Sequence, residues 1–201
     1  MKKIFVILVL AVMGVMTVKA QAYGDGAVEQ KFEIRLDFDY MTGLKTVTPK
    51  DVNVHFGNGI TRAEEGGMVT LGFGYNITGN WYVGVASGIV RNIACIKNHY
   101  IPVLADVAYR YHFNSAPSWA LGAEVRAGYL VSAYKTKEVK GEMVNYPGAF
   151  LMDVMPVVTL QAIPSLDVKF GVGYTFFHPG QNEKMDNASY MTFKLGLGYR
   201  F

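Results

Sequence analysis

The chain has 201 residues, room for one domain and hardly two. It counts 19 Lys+Arg against 16 Asp+Glu, but Lys2, Lys3 and Lys19 fall in the first 22 residues, so the remainder carries 16 of each sign and no net charge. That balance gives no support to nucleic-acid binding, and the single cysteine, Cys95, permits neither an internal disulfide nor a cysteine-based metal cluster.

Lys2 and Lys3 form a positive n-region, Ile4 to Val18 an apolar h-region, and Ala20-Gln21-Ala22 a small-x-small cleavage site. These features predict a secretory signal peptide over residues 1–22 and a mature chain starting near Tyr23. The run is short for a spanning helix, which argues against an uncleaved anchor. Cys95 is far from the cleavage site, so acylation of a lipoprotein type is not expected.

Residues 32–40 then read Phe-Glu-Ile-Arg-Leu-Asp-Phe-Asp-Tyr, a strict alternation with Phe32, Ile34, Leu36, Phe38 and Tyr40 on one face and Glu33, Arg35, Asp37 and Asp39 on the other. Seven further segments repeat the period of two, with turn signals between them. They are 67–77 (Val69, Leu71, Phe73, Tyr75), 81–90 (Trp81, Val83, Val85, Ile89), 100–113 (Ile101, Val103, Val107, Tyr109) and 119–132 (Trp119, Leu121, Val125, Tyr129). The last three are 148–162 (Phe150, Met152, Val154, Val158), 166–177 (Val168, Phe170, Val172, Tyr174) and 189–201 (Phe193, Leu195, Leu197, Tyr199). In the segment 148–162, Pro156 deletes a ladder hydrogen bond and calls for a bulge, and Leu151, Met155 and Val157 share the otherwise polar phase.

Every charged residue of these segments falls in the phase opposite to the apolar set: Lys31, Glu33, Arg35, Asp37, Asp39, Asp106, Arg110, Glu124, Arg126, Asp153, Asp167, Lys169, Lys194 and Arg200. Seven acids meet seven bases, the balance a narrow interior requires, since an unpaired buried charge is costly. Glycines 72, 74, 84, 88, 122, 128, 171, 173, 196 and 198 share that phase and leave room for long polar side chains. Eight strands enclose just enough space for side chains, so the bulky apolar face points outward, to lipid. The connections alternate between short (78–80, 114–118, 163–165) and long (41–66, 91–99, 133–147, 178–188), the asymmetry of periplasmic turns and extracellular loops. The fold predicted is an all-β, eight-stranded antiparallel up-and-down transmembrane β-barrel over residues 23–201. A soluble lipocalin-type barrel would need charge on all its outer faces, and segments 67–77 and 81–90 have almost none.

The chain ends Lys194-Leu195-Gly196-Leu197-Gly198-Tyr199-Arg200-Phe201. A polar residue at 194, a glycine two on at 196, an aromatic at 199 and a terminal phenylalanine at 201 resemble the C-terminal insertion signal of bacterial outer-membrane proteins. With the signal peptide and the eight alternating segments, the whole mature chain resembles the small outer-membrane β-barrel family, which includes the transmembrane domain of OmpA and the OmpX-like proteins. The resemblance implies an outer-membrane location in a Gram-negative bacterium, contact with membrane lipid and lipopolysaccharide, and recognition of Lys194, Gly196, Tyr199 and Phe201 by the barrel-assembly machinery through strand addition. Relatives of the OmpA type carry a peptidoglycan-binding domain after the barrel; this sequence ends at Phe201, so that anchoring role is not carried over.

No cofactor, metal or catalytic residue is expected. The Gly-x-Gly units at 72–74, 171–173 and 196–198 lack a following helix and a third glycine, so they read as strand glycines rather than phosphate loops. His55, His99, His112 and His178 have no metal-ligand spacing. Lipid-modifying chemistry would need a nucleophile and base near the outer leaflet, and His178, Ser189, Asp186 and Asp39 have suitable types without a recognisable spacing. Tyr40, Tyr100, Tyr134, Tyr146, Phe176 and Tyr190 are expected in an outer aromatic girdle, and Trp81, Phe113, Trp119 and Phe201 in an inner one. The third loop, with Lys135 to Glu142, reads as a solvated loop of mixed charge. The loop 41–66, with His55, Gly57, Asn58 and Gly59, is the best candidate for an extracellular ligand.

The functional expectation is a structural barrel with a plugged polar lumen and loops for adhesion or partner binding. Glu33, Arg35, Asp37, Asp39, Asp106, Arg110, Glu124, Arg126, Lys169 and Lys194 form its lumen charge network. The alternatives are a small pore or conduit for small or hydrophobic solutes, suggested by the glycine-rich strands, and a lipid A-modifying enzyme.

Overall fold

A computed structural model describes residues 30–44, 65–77, 80–91, 99–133, 136–139, 142–145, 148–180 and 187–201. The predicted signal peptide, Cys95, Tyr134, Tyr146, Asp186 and most of the loop 41–66, including His55, Gly57, Asn58 and Gly59, lie outside the described residues.

Among the described residues ten strands follow one another: β1 (Phe32–Gly43), β2 (Gly66–Asn76), β3 (Trp81–Arg91), β4 (His99–Phe113), β5 (Ala116–Ser132), β6 (Thr136–Val139), β7 (Glu142–Asn145), β8 (Ala149–Ile163), β9 (Leu166–Pro179) and β10 (Ala188–Arg200). Eight of them close into a barrel in the order β1-β10-β9-β8-β5-β4-β3-β2, with all neighbours antiparallel. β1 and β10 form the closing seam. Its turn end is fixed by reciprocal bonds, Phe32 N–H to the Phe201 carbonyl at 3.1 Å and Phe201 N–H to the Phe32 carbonyl at 2.9 Å.

Strand formation follows from alternation of β-branched and aromatic residues, and the register puts one phase of every strand outside. On that face Leu71, Val85, Ile89, Val103, Tyr129, Phe170 and Leu195 are all exposed, Val85 at 63%. A continuous belt of large apolar side chains around all eight strands has no tolerable place in water, and the structure is a transmembrane barrel. Trp81, Phe113, Trp119 and Phe201 are exposed toward its turn end and Tyr40 toward its loop end. At the seam, Phe32 stacks on Phe73 at 5.8 Å and on Phe201 at 6.0 Å, and meets Tyr75 edge-on at 5.4 Å.

The structure departs from the sequence-based expectations in several places. The third loop is not wholly irregular: β6 and β7 pair as a hairpin, Thr136 opposite Asn145 and Val139 opposite Glu142. Tyr100 and Tyr190 belong to no girdle; both point inward and are buried, because each lies one residue out of phase with the lipid-facing set. Lys31 is exposed, since it precedes β1 at the barrel's rim.

Pro156 makes no bulge. The β8–β9 register is the same on both sides of it, Val154 opposite Tyr174 and Val157 opposite Gly171, but the pairing lapses at Met155 and Pro156. A proline has no N–H to offer its neighbour, so the wall loses a rung there without changing register. Pro102 does the same between β3 and β4. Ser87 pairs with Val103 and Val90 with Tyr100, and the residues between them are unpaired.

Candidate functional site: the barrel lumen

The inward phase of β1 places Glu33, Arg35, Asp37 and Asp39 in one row along the bore, all buried. β4 adds Asp106 and Arg110, β5 Glu124 and Arg126, β8 Asp153, β9 Asp167 and Lys169, and β10 Lys194, each at most 5% exposed. Arg200 is at the turn-end mouth, its side chain 18% exposed.

These groups form a continuous chain of ion pairs. At the mouth, Asp167 accepts from Arg200 Nη2 at 2.9 Å and Arg110 Nη1 at 3.3 Å. Glu33 is the hub above it, accepting from Arg110 Nη2 at 2.6 Å, Lys169 Nζ at 2.6 Å and Arg35 Nε at 2.8 Å. Arg35 Nη1 then donates to Asp106 at 2.9 Å and Glu124 at 3.2 Å. Lys194 links Glu124 to Asp37, the latter at 3.3 Å. Arg126 gathers Asp153 through Nε at 3.0 Å and Asp39 through Nη2 at 2.9 Å, and approaches Asp37 to 3.6 Å.

Taking such charges out of water is costly, and here each is matched by at least one opposite charge in direct contact. All ten residues expected in the lumen network lie within this chain, and the structure adds Asp153, Asp167 and Arg200, whose strand phase already pointed inward.

The glycines explain how so many long side chains fit. Arg35 lies between Gly72 and Gly198 in register, and Asp37 beside Gly196. A Cβ on Gly198 would come within 2.7 Å of Glu33 Oε1 and 3.0 Å of Lys169 Nζ, and one on Gly196 would strike Asp37 Oδ1. β2 and β3 contribute no charge to the lumen. They contribute glycines and Tyr82, whose ring fills the space over Gly74 and Gly84. The Arg35 guanidinium lies 3.2 Å from the centre of that ring, a cation–π contact.

Tyr82 was not singled out by the sequence, although its phase, one residue beyond outward Trp81, places it inside. A second feature also escaped notice. Above the ionic chain, at the loop end, the inward positions turn apolar. Met41, Met68, Val90, Tyr100, Leu104, Leu130, Leu151, Phe177 and Tyr190 form one buried cluster. The signal was present as apolar residues in the polar phase, at the loop end of nearly every strand. Between the two layers, the Thr175 and Thr192 hydroxyls bond each other at 2.6 Å.

Among the described residues weighed for lipid chemistry, His178, Ser189 and Asp39 make no bond to one another. His178 bonds Asn187 and stacks on Phe176, Ser189 is opposite Phe176 in the register, and Asp39 is inside, paired with Arg126. His99 accepts from Arg91 Nε at 2.8 Å. Among the described residues no group of His, Cys, Asp and Glu is arranged to hold a metal.

A closed eight-stranded wall, an apolar exterior and an interior filled with paired charges define the fold of the small outer-membrane β-barrels. The structure is similar to Neisserial surface protein A, with a TM-score of 0.59 at 13% identity, covering 85% of this chain and 97% of that one. It is also similar to the N-terminal β-barrel domain of Pseudomonas aeruginosa OprF (TM-score 0.54, 10% identity, 86% of this chain and 98% of that). A third likeness is to P. aeruginosa outer membrane protein H (TM-score 0.53, 12% identity, 85% and 99%). No protein-family model matches the sequence, and no curated protein matches it. Likeness at such identities is a likeness of fold, and function has to be argued from the site.

Proposed function

We propose that the protein resides in the outer membrane as a non-enzymatic, structural barrel with a sealed lumen, and that its extracellular loops provide its contacts with other molecules. The observation that carries this reading is the double filling of the bore: an unbroken ion-pair chain from Arg200 to Asp153, capped by the apolar cluster around Leu104 and Phe177. An ion crossing the barrel would have to break pairs at several levels and then pass a layer lined mainly by apolar side chains. The belt on the outer wall embeds the protein in lipid and lipopolysaccharide. The terminal strand, with Lys194 and Gly196 inside and Phe201 exposed at the seam, supplies the strand that the barrel-assembly machinery would recognise. The loop 41–66 is the proposed surface for an extracellular ligand.

The test is electrical. Purified protein refolded into planar bilayers should give no steady conductance, and should migrate differently on a denaturing gel before and after boiling. Stable channels from heat-modifiable protein would sink the sealed-lumen reading while keeping the barrel. The alternative of a conduit for hydrophobic solutes draws support from the apolar residues lining the loop end, and uptake of an apolar dye into vesicles bearing the protein would favour it.

A further inference from the structure

One cavity in the ionic layer has a specific chemistry. It has a volume of about 10 Å³, and its lining includes Arg35, Arg110, Glu124, Thr159 and Lys169. That volume is at the lower limit for a single water, which needs roughly 10–15 Å³ and two to four polar partners. The second observation is at Arg35, one of its walls. Arg35 spends Nε on Glu33 and Nη1 on Asp106 and Glu124, while Nη2 is buried with no partner. Leaving a charged donor unsatisfied in this interior carries the full cost of its desolvation.

We propose that this cavity is a built site for one water molecule, held by Arg35 with Thr159, Lys169 and Glu124 as further partners. A small anion is the competing occupant, since three cations line the space. The surrounding charges decide between them. Through the linked ion pairs Arg35, Arg110, Arg126, Lys169, Lys194 and Arg200 face Glu33, Asp37, Asp39, Asp106, Glu124, Asp153 and Asp167, six positive charges against seven negative ones. An anion would add to a set with no surplus of positive charge, whereas water adds a dipole that both donates and accepts. Glu124, already on the wall, would repel an anion and accept from water.

The site deepens the sealed-lumen reading and rests on it, because one isolated water is a different thing from a wetted channel. The test is a high-resolution crystal structure of the refolded barrel, native and soaked in bromide. A single peak within hydrogen-bond distance of Arg35 Nη2, without anomalous signal from bromide, is the expected result. Loss of that peak in Thr159→Val, in protein that keeps its heat-modifiable mobility, would agree with it. An anomalous bromide peak overturns water in favour of an anion, and an empty cavity overturns the site while leaving the sealed lumen standing. A continuous file of waters through the bore would overturn the sealed lumen itself.

Discussion

Arg126 and Asp39 meet across the full bore of the barrel, Nη2 to Oδ2 at 2.9 Å, although their strands β5 and β1 lie four places apart in a ring of eight. No ladder joins those two strands, so this contact ties opposite walls directly. Arg126 also holds Asp153 on β8. Replacing it with methionine should leave Asp39 and Asp153 buried without their cation and lower stability by about 3–5 kcal/mol. Urea unfolding in lipid vesicles measures the loss; a change under about 1 kcal/mol would show that water reaches these carboxylates.

Gly198 tests the packing of the ionic layer. A valine there would press on the ends of Glu33 and Lys169, and these groups must shift within the ion pairs they make to leave room for it. Gly198→Val should fold poorly, visible as loss of the heat-modifiable band. Gly67 is a fair control, because a Cβ there would meet only the Asp39 carbonyl, at an ordinary 3.8 Å.

Tyr82 separates two contributions. Its hydroxyl is buried without a hydrogen-bond partner, so Tyr82→Phe should be neutral or slightly stabilising. Its ring carries the Arg35 guanidinium, so Tyr82→Leu should cost about 2 kcal/mol or more through the lost cation–π contact, beyond any loss of packing. Equal effects of the two substitutions in the same urea titration would contradict this division.

Pro156 interrupts the wall between β8 and β9. Substituting alanine restores an N–H where the register already matches, and should add about 0.5–1.5 kcal/mol. Hydrogen exchange gives the direct readout: the new amide at position 156 should be among the slow-exchanging amides of β8. Fast exchange there would mean that the lapse has a cause other than the missing donor.

The wall was more legible in the sequence than its contents. Alternation with a period of two is a local property, and segments such as Phe32 to Tyr40 show it without knowledge of any neighbour. The inward charges were visible for the same reason. Which charge meets which was not, because Arg126 reaches Asp39 only after closure sets the register of eight strands. The apolar cap showed in the sequence only at Leu151, because Leu104, Leu130 and Phe177 lie on separate strands and come to one level only when the register is set. Tyr82 was hidden by its glycine neighbours, whose emptiness has meaning only once the ring that fills it is placed. The hairpin of β6 and β7 has too little apolar alternation to stand out from a charged loop. Pro102 passed unnoticed because the alternation around it is unbroken on both sides.

The uneven filling of the bore leaves the two ends of the strands with different demands before the barrel closes. In the proposed orientation, the loop ends of the strands cross the bilayer during insertion and the turn ends stay behind. The leading ends carry Met41, Met68, Leu104, Leu130 and Phe177 on the face destined for the interior, so an unclosed hairpin can present either face there to acyl chains at little cost. The trailing part of β1 carries Glu33 and Arg35, which bond each other within the strand but reach Arg110, Lys169, Asp106 and Glu124 only as the ring closes beside Phe32 and Phe201.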